Sequence, residues 1–155
     1  MKISATLLIL FCSLTGFAQI DTSKIAIIPH EKGDYIFDKS KKNTTLSAED
    51  LNIAEQLFNN AVDEYNTKQK AANSNLSEKQ MKRTLIDPSH YKRQYIAVTN
   101  SKGEKEIWIN CFCDTFDTNW RKQIIEVDDG GDCFFNVYIN ITTKTHLELR
   151  VNGYA

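Results

Sequence analysis

The chain has 155 residues, 41% hydrophobic and 25% charged, with 19 basic against 20 acidic side chains and a formal net charge of −1. That length fits one domain with enough apolar content for a core. A near-neutral balance without a basic stripe excludes the electrostatic footprint of a nucleic-acid binder.

Met1-Lys2 is a short basic head, Ala5 to Phe11 an apolar block, and Gly16-Phe17-Ala18 carries small residues where a signal peptidase reads them. Residues 1–18 therefore read as a secretory signal peptide cleaved after Ala18, its apolar block too short to span a bilayer. Cys12 as a lipoprotein acceptor is the weaker reading, because Phe11 stands where such sites favour a small residue. Nothing after residue 19 approaches a transmembrane length, so the expected location is periplasmic or secreted.

Residues 19–45 read as an N-terminal arm that folds back onto the body. Lys24-Ile25-Ala26-Ile27-Ile28 predicts a short strand ended by Pro29, and Tyr35-Ile36-Phe37 is a second apolar knot before the charged stretch Asp38 to Lys42. Residues 46–155 read as a single α+β domain. From Ser47 to about Lys68, Leu51, Ala54, Leu57, Phe58, Ala61, Val62 and Tyr65 recur at helical spacing. Ser47 is the expected N-cap, with Asp50 completing a capping box and Leu46 and Leu51 spaced as a staple. Ser77 to Leu85 predicts one or two further turns, stopped at Asp87-Pro88.

Strand character then dominates. Tyr91 to Thr99 is followed by the turn Asn100-Ser101-Lys102-Gly103 and by Glu106 to Cys113, where Ile107, Ile109, Cys111 and Cys113 alternate with Trp108, Asn110 and Phe112. Gln123 to Val127 predicts another strand, and Asp128-Asp129-Gly130-Gly131-Asp132 a turn. In Cys133 to Ile141 one face holds Cys133, Phe135, Val137, Ile139 and Ile141, the other Phe134, Asn136, Tyr138 and Asn140. In the last run Leu147, Leu149 and Val151 oppose His146, Glu148, Arg150 and Asn152. One aliphatic face per strand implies an antiparallel sheet of about five strands. The expected fold is α+β, one long N-terminal helix packed on a curled antiparallel sheet.

Two principles compete over the cysteines beyond the leader, Cys111, Cys113 and Cys133, all expected on the aliphatic face. An oxidising compartment favours a bridge, yet in a strict meander the strand 123–127 would hold the other two strands ~9.6 Å apart, beyond disulfide reach. No metal site is expected, since His30, His90 and His146 fall in unrelated segments. The acidic turn at Asp128 lacks calcium-loop spacing, and the triplets at Asn43, Asn75 and Asn140 match the glycosylation acceptor pattern without further support. No phosphate loop, nucleophile elbow or zinc-binding helix motif occurs, so neither catalytic residues nor a cofactor are expected.

The candidate site is the sheet's other face, where Trp108, Phe112, Phe134 and Tyr138 interleave with Asn110, Asn136, Asn140 and Arg150. Aromatic rings beside amides suit an envelope protein or a glycan. The competing expectation is that the arm covers this face through Ile27, Ile28, Tyr35 and Phe37, because four exposed aromatics make a large patch for a monomer. The element order resembles cystatin-like and NTF2-like folds. The leader ending Phe17-Ala18-Gln19, the run Asn110-Cys111-Phe112-Cys113 and the Asp128 to Val137 hairpin resemble small exported Bacteroidota proteins of unknown function. That resemblance implies a location and no site residues. The expected role is an exported, non-enzymatic binding module. The alternatives are a small hydrolase or isomerase with an NTF2-like cavity, and a structural or inhibitory envelope protein.

Overall fold

The computed structural model describes residues 21–31, 35–116 and 119–153; the expected signal peptide over residues 1–18 and Cys12 lie outside them. Helix α1 spans Ala48–Ala72, ending one turn later than its apolar stripe predicts. Its start follows the sequence: the Ser47 hydroxyl accepts from the Asp50 N–H, and the Asp50 carboxylate accepts from the Ser47 N–H. A second helix, α2, is a single turn over Glu78–Met81 behind a similar capping box at Ser77.

Among the described residues, seven strands form one sheet: β1 (Ile25–Ile27), β2 (Lys42–Asn43), β3 (Lys92–Thr99), β4 (Lys105–Phe112), β5 (Phe134–Asn140), β6 (Thr145–His146) and β7 (Arg150–Val151). The order is β1-β3-β4-β5-β6, with β2 also on β3 and β7 on β5. The expectation of a purely antiparallel sheet is corrected, because β1 runs parallel to β3, Ile25 opposite Arg93. Parallel neighbours need a long crossover, and the chain between them, which includes α1, supplies it. The arm is thus part of the sheet.

Residues 123–127 are not a strand. β4 and β5 pair directly, Phe112 opposite Phe134 and Trp108 opposite Tyr138, so no slot exists between them. That pairing also resolves the cysteine conflict. One step beyond Phe112 and Phe134, Cys113 and Cys133 meet as a disulfide with Cα atoms 5.1 Å apart, while Cys111 stays a buried free thiol. Cys113 is exposed rather than in the core, because the strand has ended there.

A register shift interrupts the last run. His146 lies opposite Ile139, but Val151 lies opposite Phe135, so three residues, 147–149, face the two residues 137–138. This extra residue is a bulge and reverses the side-chain parity. Leu147, expected with Leu149, instead leaves the aliphatic face and is 61% exposed, while Leu149 stays buried. Ile109, Val137 and Leu149 share the core under α1 with Phe58, Ala61, Val62, Tyr95 and Phe135.

Candidate functional site

The second face of the sheet is closed over by two segments. Ile28, Ile36 and Phe37 of the arm pack with Trp108, Ile96 and Val98, Phe37 meeting Tyr138 edge to face at 5.6 Å. The Tyr138 hydroxyl donates to the Ile36 carbonyl at 2.9 Å. The arm therefore covers this part of the aromatic face, with a correction of detail: Ile27 and Tyr35 are exposed, at 47% and 71%, rather than buried with it.

At the other end of this face, Phe112 and Phe134 pack under Ile125, with Trp120, Val127 and Cys133 around them. Buried amides hold that loop down. Gln94 Nε2 donates to the carbonyls of Trp120 and Gln123, both at 2.6 Å, and its Oε1 accepts from Asn110 Nδ2 and from the Ile125 N–H. Asn110 Nδ2 also donates to the Ile125 carbonyl. All four hydrogen-bonding positions of the Gln94 amide are filled. Asn110, read as a ligand-facing amide, is thus a tether for residues 120–125. Trp108, Phe112 and Phe134 are buried, Asn136 and Tyr138 are half-buried, and Arg150 is exposed. The structure does not bring these residues together as one open surface.

A cluster that the sequence reading missed lies between α1 and the sheet. Arg93, 7% exposed, pairs with Glu55 at 3.1 Å and stands over the Phe58 ring, 5.0 Å from its centroid. The Tyr95 hydroxyl donates to the same Glu55 carboxylate. Burial pushes both the Tyr95 hydroxyl and the nearby Cys111 thiol well above their usual ranges, which keeps them protonated and unreactive. The signal was present: Glu55 falls on the apolar stripe of α1, four residues after Leu51 and three before Phe58. Among the described residues, no three metal-binding side chains converge, and no helix is long and apolar enough to cross a membrane.

What the second face leaves open is a groove of about 480 Å³ beside Tyr138, between the arm and the β5–β6 edge. Ile36, Phe37, Tyr138 and Leu147 give it a largely apolar lining. Lys41 lies over Phe37 and pairs with Glu106, so the one ammonium in the lining is neutralised beside it. Tyr138 and Asn140 are the residues of the expected face that reach this groove. Leu147 could not be found by parity alone, because the bulge that turns it outward has no signature in the alternation.

Compared with known protein families, curated proteins and solved structures, the chain matches none.

Proposed function

We propose that the chain is an exported, non-enzymatic binding module that takes an apolar part of an envelope protein into the groove beside Tyr138. The observation that supports this reading is Leu147. A leucine turned out of the core by a one-residue shift, 61% exposed at the rim of an apolar groove, is stabilised when a partner covers it. The Cys113–Cys133 disulfide is consistent with an oxidising compartment. The helix-on-sheet order is read as cystatin-like or NTF2-like, and the leader at residues 1–18 as the export signal.

The enzymatic alternative asks for an enclosed pocket with titratable side chains directed into it. The groove is lined by Asp38, Lys41, Glu106 and His146, but it is open rather than enclosed, and Lys41 and Glu106 pair with each other. Glu55, Arg93 and Tyr95 engage one another in the core, and both arrangements favour the binding reading. Placing a photo-crosslinking side chain at Leu147 in the native host is expected to trap one discrete adduct, with none from the same group at exposed Gln80. Equal adducts from both positions, or none from Leu147, overturn the reading.

A further inference from the structure

We propose that the outer edge of β1 is a strand-addition site for an extended aliphatic segment of a partner protein, and that the Arg121 guanidinium occupies it in this structure. Successive strand residues direct their backbone groups to opposite sides. Ile28 donates its N–H to the Tyr95 carbonyl of β3 at 3.0 Å, so Ile27 turns its N–H and C=O away from β3; Ile25 does the same, its N–H closing back on the Thr22 carbonyl and its C=O left facing outward. The outward Ile25 carbonyl accepts from Arg121 Nη1 at 3.0 Å, and Nη2 of the same side chain reaches the Ser23 carbonyl. A guanidinium with donors in a fixed fork thus stands where the N–H groups of an added strand would donate.

The edge has a pocket to match. Ile25, Ile27, Leu51 and Arg121 line a cleft of about 390 Å³. Ile27 pairs with Tyr95, whose side chain is in the core under α1, so Ile27 points to the helix side of the sheet, where it is 47% exposed. An added strand would set every second side chain on that same side, and an aliphatic one would cover Ile27 and Leu51. Main-chain pairing supplies affinity and the side pocket supplies selectivity. A second copy of this chain fits less well. Three strand residues reach only ~10 Å, short of what is needed to bury the ~1,200 Å² of a stable two-fold dimer, whereas a longer foreign segment continues past Ile27 along the cleft.

Ile27→Pro is the decisive variant, because it deletes an outward N–H and leaves the inward ladder intact. Ile27→Lys keeps that N–H and places a charge at the cleft, and Arg121→Ala empties the edge. A random heptapeptide phage library is selected on the full chain carrying Arg121→Ala. The enriched peptides are expected to alternate aliphatic residues and to bind the unaltered chain several-fold more weakly than Arg121→Ala. They should lose at least about ten-fold on both Ile27 variants, each confirmed folded by its denaturation midpoint. No enrichment, or peptides indifferent to both Ile27 variants, overturns the proposal. Self-association of Arg121→Ala in sedimentation without peptide overturns the choice of occupant.

Discussion

Gln94 and Asn110 face each other across β3 and β4, Asn110 Nδ2 donating to Gln94 Oε1 at 3.1 Å. Together they replace, with side-chain amides, the strand pairing that residues 120–125 do not have. A buried polar group left without its partner costs about 1–3 kcal/mol, and Gln94→Leu removes one of the two bonds of Asn110 Nδ2 and strands three loop backbone groups. We expect a loss of at least about 3 kcal/mol in urea unfolding. Amide exchange at Ile125 should accelerate before that of β4. A loss below 1 kcal/mol would mean that packing under Trp120 and Ile125, rather than the amides, holds the loop.

The Cys113–Cys133 disulfide closes a loop with a sequence separation of 20, which in the chain-entropy account stabilises by about 3 kcal/mol. Paired Cys113→Ser and Cys133→Ser replacements should lower stability by about 2–4 kcal/mol, read from the denaturant midpoint. Cys111→Ala tests the opposite case. It removes a buried sulfur from the core without touching the loop, so its cost should not change on adding a reductant.

The α+β class, the α1 cap and the parity of β4 and β5 were legible because each rests on local spacing. Ser47 and Asp50 are three residues apart, and Ile107, Ile109 and Cys111 alternate without interruption. What was not legible depends on long-range choices. Gln123 to Val127 has strand composition, but pairing of Phe112 with Phe134 leaves it no edge. Leu147 follows the alternation in sequence and departs from it in space, since the shift between His146 and Val151 is set by what each meets on β5. The aromatic face was correctly placed on one side of the sheet, and its cover by Ile28 and Phe37 was one of the two outcomes expected.

Glu55 and Arg93 form an ion pair at 3.1 Å, with side chains 15% and 9% exposed respectively. Removing one partner of a buried pair leaves a desolvated charge and costs about 3–5 kcal/mol, while replacing both with apolar groups is often neutral. Glu55→Ala should therefore destabilise by about that amount, and Glu55→Leu with Arg93→Met, made in a Tyr95→Phe background so that no buried hydroxyl loses its acceptor, should recover most of it. A double variant as unstable as the single one would show that the charge pair is needed beyond its own neutralisation.

Asp50 links the start of α1 to β4, its carboxylate accepting from Lys105 Nζ at 2.6 Å and from the Ser47 N–H at 2.9 Å. Burial alone would raise its pKa. The hydrogen bonds from Lys105 and Ser47, and the Lys105 charge, outweigh that and hold it below the ordinary aspartate value of 3.8. A depressed folded-state pKa means the unfolded chain takes up the proton first as pH falls. The stabilisation is therefore fully present at neutral pH, begins to fade as pH drops through about 3.8, and is gone below the folded value. Asp50→Asn should lower stability at pH 7 and have little effect at pH 2, with the two unfolding curves converging between. Lys105→Met should reproduce part of that convergence, because it removes the ammonium while the Ser47 bonds remain. Curves for Asp50→Asn that stay parallel to those of the unaltered chain from pH 7 to pH 2 would place the acid sensitivity on other carboxylates.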